Sequence, residues 1–116
     1  MYIHSKGIIH RDVKPRNFMV YRQKVILGDF GSAKVKGKNK QPSTAYIVSR
    51  FYRAPELILG YKYYDKPIDM WAVGCVMAEI TLGRPLFQGS DSLDQLIKIF
   101  RVIGSPKWRT ISFMLE

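Results

Sequence analysis

A carboxylate, a cation and an amide stand at short fixed intervals in the run His10-Arg11-Asp12-Val13-Lys14-Pro15-Arg16-Asn17, and a second carboxylate, in Asp29-Phe30-Gly31, follows twelve residues after Asn17. These residue types suit phosphoryl transfer. Its loose transition state leaves a protein little covalent work. What is needed is a carboxylate beside the attacking hydroxyl, a cation beside the transferred group and hard oxygen ligands for Mg²⁺. Asp12, Lys14, Asn17 and Asp29 are of those types, and no His/Cys metal cluster competes with them.

The two runs match the HRDxxxxN and DFG signatures, so the chain resembles the protein kinases. Asp29-Phe30-Gly31-Ser32-Ala33-Lys34 and Tyr46-Ile47-Val48-Ser49-Arg50-Phe51-Tyr52-Arg53-Ala54-Pro55-Glu56 look like the activation segment of the glycogen synthase kinase (shaggy-like) family. Asp69-Met70-Trp71-Ala72-Val73-Gly74 and Pro85-Leu86-Phe87-Gln88-Gly89 continue in the expected order. The resemblance covers essentially the whole chain but under half of a kinase domain. Arg16 stands where Gln is usual and Phe18 where Leu is usual, and the activation loop is unusually basic. Cyclin-dependent-like and mitogen-activated kinases share the Arg53 to Glu56 string and the following Trp-containing helix, whereas Tyr46 to Arg50 favours the shaggy-like family.

The resemblance implies a serine/threonine protein kinase using ATP and Mg²⁺. It implies that Asp12 and Lys14 are catalytic, Lys14 on the γ-phosphate, and that Asn17 and Asp29 hold the metal and nucleotide. Arg11 and Lys34 resemble two of the three basic residues that receive the phosphate of a pre-phosphorylated substrate. Tyr46 matches a phosphorylated tyrosine of the activation segment, with Arg50 and Arg53 as its cations. His10, Phe30, Glu56 and Asp69 are structural in the family, Asp69 holding the backbone at His10. Glu56 normally pairs with an arginine late in the domain, and no such residue is expected here. The implied fold is α+β, the mainly helical C-terminal lobe of a kinase with a small β-hairpin. A catalytic loop spans residues 10–17 and an activation segment 29–56. No GxGxxG occurs, and the N-terminal lobe that covers ATP is expected to be absent, so residues 1–116 alone are expected to be inactive. The rival reading is a catalytically dead lobe that binds peptides or a scaffold protein.

Composition sets the outer bounds. A chain of 116 residues with 47% apolar residues has the length and core material of one domain. Nineteen Lys and Arg against nine Asp and Glu give +10. That charge alone is the only support for a nucleic-acid partner, and much of it lies in Lys34, Lys36, Lys38 and Lys40, a cluster that is either a phosphate-binding surface or a solvated loop. The stretch Ile68 to Leu82 contains Asp69 and Glu79, so no membrane span is expected. Expected partners are protein substrates, with no nucleic acid and no membrane. The single Cys75 has apolar neighbours and reads as a buried, inert thiol in an intracellular protein, cytoplasmic or nuclear.

The elements that must position these residues are legible from pattern. Phe18-Met19-Val20-Tyr21 and Val25-Ile26-Leu27 are β-prone runs around Arg22-Gln23-Lys24, a hairpin that would return the chain from Asn17 to Asp29. Lys66 to Leu82 reads as a helix with Pro67 in its first turn and Gly83 as its stop, apolar on every side and therefore central and buried. Ser92 to Ile103 reads as a second helix, opened by Ser92 in a capping box with Gln95 and closed by Gly104. His4, Tyr61 to Tyr64 and Trp108 carry no assigned chemistry and read as packing or surface residues.

Overall fold

The computed structural model describes residues 2–35 and 49–115. In chain order they form helix α1 (Tyr2–Ser5), strand β1 (Ile8–Ile9), a 3₁₀ turn (Pro15–Asn17), β2 (Phe18–Tyr21), β3 (Lys24–Leu27) and β4 (Lys34–Val35). A second 3₁₀ turn (Arg50–Tyr52), α2 (Pro55–Ile58), α3 (Pro67–Leu82), α4 (Ser92–Ile103) and α5 (Trp108–Leu115) follow.

Aromatic and β-branched residues make β2 and β3 antiparallel partners, with Phe18 opposite Leu27 and Tyr21 opposite Lys24. The connection is shorter than expected, because Lys24 joins the ladder. Arg22 and Gln23 form the two-residue turn in left-handed conformation, φ 46° and 62°, as the twist of such hairpins demands. A second antiparallel pair, β1 with β4, places Ile9 opposite Lys34. Two-residue strands carry no periodicity, so this pair has no signature in the sequence.

α3 organises the interior. Its Ala72, Cys75 and Val76 pack with Val13, Tyr52, Phe87 and Ile99, while Ile68 joins Ile9, Ala54 and Leu57 in an adjoining cluster. Trp71 lies parallel to Phe87 with ring centroids 6.0 Å apart. Burial pushes the Cys75 thiol up to about 11, helped by the nearby Glu79 carboxylate, so it stays protonated and unreactive. The expectation that α3 is buried all round is corrected on one side: Met70, Met77, Ile80 and Leu82 are exposed. The cause is geometric. The partners of α3 among the described residues, Val13, Tyr52, Phe87 and Ile99 with Ile9, Ala54 and Leu57, leave the stripe that carries Met70, Met77 and Ile80 uncovered.

The start of α4 also differs from expectation. Asp91, not Ser92, is the cap: its carboxylate accepts the Asp94 backbone N–H at 2.9 Å, and Asp94 reaches back to the Ser90 N–H at 2.9 Å. Gln95 is therefore free for another task. Fully buried, it accepts from the Gly89 N–H at 2.7 Å and donates to the Phe87 carbonyl at 3.1 Å, locking the preceding loop onto the helix. A Cβ on Gly89 would fall 2.6 Å from the Gln95 backbone, so only glycine allows this approach.

Candidate active site

The geometry of segment 10–17 begins with a buried carboxylate. Asp69, in the first turn of α3, is 1% exposed. One of its oxygens accepts the His10 N–H at 2.8 Å and the His4 Nε2 at 2.7 Å; the other accepts the Arg11 N–H at 2.9 Å. Those three donors offset the cost of burying the charge. His10 uses both ring nitrogens on backbone: Nδ1 accepts the Asp12 N–H at 3.3 Å and Nε2 donates to the Gly28 carbonyl at 2.8 Å. Phe30 stands edge-on to the His10 ring, centroids 4.9 Å apart. His10 thus ties the loop to the segment that carries Asp29.

From that anchor the chain turns once. Pro15 opens the Pro15–Asn17 turn, closed by Asn17 N–H on the Lys14 carbonyl at 3.0 Å, and this swings Asn17 back beneath Asp12. The Asn17 amide donates to the Asp12 carbonyl at 2.7 Å and to its carboxylate at 3.2 Å. Lys14 Nζ lies 2.7 Å from the same carboxylate and donates to Ser49 Oγ at 3.0 Å, while Ser49 Oγ donates to the other Asp12 oxygen at 3.2 Å. Asp12, Lys14, Ser49 and Asn17 form one closed network. Partial burial would raise the Asp12 carboxyl, but the Lys14 ammonium, with Ser49 and Asn17, outweighs it and holds Asp12 below the usual carboxylate range.

The β2–β3 hairpin closes the arrangement, since Gly28 N–H donates to the Asn17 carbonyl at 2.8 Å and so sets Asp29 beside Asn17. Asp29 takes a left-handed φ of 53°, and its Oδ1 accepts the Gly31 N–H at 3.2 Å. Because Asn17 points its amide hydrogens at Asp12, its side-chain oxygen faces elsewhere. That oxygen and the exposed Asp29 carboxylate are hard-oxygen donors of the type Mg²⁺ accepts alongside phosphate and water. Among the described residues no cluster of three or more His, Cys, Asp or Glu could hold a metal by itself. The donor set fits a cation that takes part of its shell from a bound phosphate.

The residues expected to meet phosphate lie nearby. Arg11, with φ 67°, donates from Nε to the Ser32 carbonyl at 2.6 Å, and the β1–β4 ladder sets Lys34 beside the strand leading into Arg11. Arg50 donates to the carbonyls of Gly89 and Ser90, and Arg53 is buried. Tyr46, their expected partner, lies outside the described residues, as do Lys36, Lys38 and Lys40.

The family description "Protein kinase domain" matches residues 1–114. The chain belongs to the protein kinase family. It is similar to "Protein kinase gsk31" of Schizosaccharomyces pombe, 50% identical over 115 residues, 97% of this chain and 30% of the relative. It also resembles "Glycogen synthase kinase 1" of Pyricularia oryzae, 51% identical over 97% of this chain and 29% of the relative. The chain therefore spans less than a third of the relatives it matches.

In this kinase-domain chain, several contributors have no legible sequence pattern. Ser49 stands out in the sequence only as one letter of a longer string, yet its hydroxyl joins Asp12 to Lys14 across 37 and 35 positions. His4, expected to be a packing or surface residue, is a ligand of the Asp69 carboxylate. Tyr52, whose hydroxyl donates to Glu79 at 2.6 Å, fixes the turn that Ser49 precedes. Burial and the Glu79 charge raise that phenol's pKa strongly, so it remains a donor. No helix among the described residues is long and apolar enough to cross a membrane.

Glu56 of the kinase-domain chain borders an apolar recess formed with Pro55, Leu59, Phe100, Ile103 and Met114. Desolvation raises its pKa, and no cation meets it among the described residues. The folded state thus holds the Glu56 proton more tightly than the unfolded state. Stability from this group is full below the ordinary Glu pKa and is lost as pH rises through the raised value. In residues 1–116, Glu56→Gln should raise the thermal midpoint by a few degrees at pH 7 and make no difference at pH 4, read by melts at the two pH values. A destabilised variant at pH 7 would mean that the carboxylate has a cationic partner.

Proposed function

We propose that the chain is part of the C-terminal lobe of a serine/threonine protein kinase, acting inside the cell on protein substrates. The reading is carried by the closed network of Asp12, Lys14, Ser49 and Asn17 beside Asp29. Bound MgATP would supply the transferable γ-phosphoryl group. Asp12, held ionised, orients the substrate hydroxyl and receives its proton. Lys14, already 2.7 Å from Asp12, balances negative charge where the phosphate passes. Serine and threonine as acceptors are implied by the resemblance of the loop to the serine/threonine kinases. Asn17 and Asp29 would hold Mg²⁺, and Arg11 and Lys34 would receive a phosphate already present on the substrate.

A second reading keeps the fold and drops the chemistry, leaving a binding module for a scaffold protein. Leu93, Ile97 and Ile103 on α4 are exposed and favour it. The test is to replace the matching segment of the Pyricularia oryzae relative with this chain and to assay the hybrid beside residues 1–116 alone. The hybrid should phosphorylate Ser and Thr peptides and not Tyr peptides. Residues 1–116, which contain no GxGxxG, should transfer nothing and bind MgATP weakly. A folded but inactive hybrid would favour the binding module.

A further inference from the structure

Tyr64 has no part in any role assigned above, yet it touches the arginine on which phosphate recognition depends. Arg11 Nη1 donates to its phenol oxygen at 3.1 Å, while Arg11 Nε is bound to Ser32 and the Arg11 N–H to Asp69. The Tyr64 ring packs beside Ile9, Ala54, Leu57 and Ile68, so the phenol stands on a buried apolar base. One guanidinium is therefore held by the segment after Asp29 and by the loop before α3. This matters because an arginine discriminates for phosphate through its planar fork. The fork is effective only when it is aimed, whereas a long side chain left to rotate must be ordered at each binding event.

We propose that Tyr64 is a positioning residue for phosphate recognition: its phenol fixes Arg11 so that the remaining N–H groups of the guanidinium, with Lys34, face a phosphate carried by a protein substrate. This rests on the reading of Arg11 and Lys34 under Proposed function. Tyr64→Phe removes the acceptor and keeps the ring on its apolar base. In the full-length kinase, kcat and KM are measured on two peptides identical but for one phosphoserine. The variant should lower the phosphorylated-to-unphosphorylated ratio of kcat/KM by about 3- to 10-fold, the size of one hydrogen bond, with the loss in KM. As a readout free of turnover, the affinity of a phosphopeptide lacking the acceptor hydroxyl, measured by calorimetry, should fall by the same factor. Equal losses on both peptides would give Tyr64 a structural role only and overturn the inference. An unchanged ratio for Tyr64→Phe, with a collapsed ratio for Lys34→Ala, would overturn the inference while leaving the phosphate site standing. An unchanged ratio for both variants would remove the phosphate site and the inference with it.

Discussion

Asp12→Asn in the full-length kinase should lower kcat by about 10²–10⁴-fold, the range of a positioned acid–base group, with little change in peptide KM. The amide keeps an oxygen for Ser49 Oγ, now 3.2 Å from the carboxylate, but it loses the charge that pairs with Lys14 at 2.7 Å. Structure should therefore survive and chemistry should not. Lys14→Ala should also be severe, and the double variant should be little worse than either single one, because the two groups share one network and their losses do not add. The depressed carboxyl fixes the pH dependence as well. With Asp12 held below the usual carboxylate range, the acidic limb of the rate profile belongs at lower pH than an ordinary Asp would give. A purified Asp12→Asn enzyme retaining a tenth or more of the activity would show that Asp12 is not the group that receives the hydroxyl proton and that its network only holds the loop.

The second large effect concerns folding. Asp69→Ala should cost about 3–5 kcal/mol, as does breaking a buried, hydrogen-bonded charge, against a whole-domain margin of about 5–15 kcal/mol. The donors at His10, Arg11 and His4 would all be left without their acceptor. Asp69→Asn should be nearly as costly, since in either orientation its amide NH₂ would face an N–H donor, that of His10 or that of Arg11. Urea denaturation read by circular dichroism reports the difference in midpoint. A cost under about 1 kcal/mol would mean that water replaces the carboxylate without strain.

Elements with a local chemical cause are legible in the sequence. The hairpin, the Pro67 start and Gly83 stop of α3, and the length of α4 follow from β-propensity, fixed φ and a left-handed stop. Asp69 as the backbone anchor of His10 follows from family resemblance, and the structure supplies the distances. What sequence does not carry is set by contacts between distant residues. Ser49 reaches Asp12, and Tyr64 reaches Arg11, with 37 and 53 positions between them, and no spacing rule spans such gaps. Glutamine at position 95 fits the pattern of a capping box, but burial gives its side chain to the Gly89 loop instead. The exposed stripe of α3 shows the reverse limit. Composition states that a helix is apolar all round, but only packing states which side finds a partner.

The Asp69 carboxylate has a consequence for the order in which the molecule acquires its shape. Its three hydrogen bonds close loops of 65, 59 and 58 residues, among the costliest closures available to a chain of this size. Residues 10 and 11 have no local substitute for these bonds, and Arg11 must adopt a left-handed backbone to make its own. The hairpin between Asn17 and Asp29 can form early, in microseconds, as hairpins do, but its two ends acquire their mutual aim only when α3 docks. Partly folded molecules therefore contain the residues of the site without its geometry.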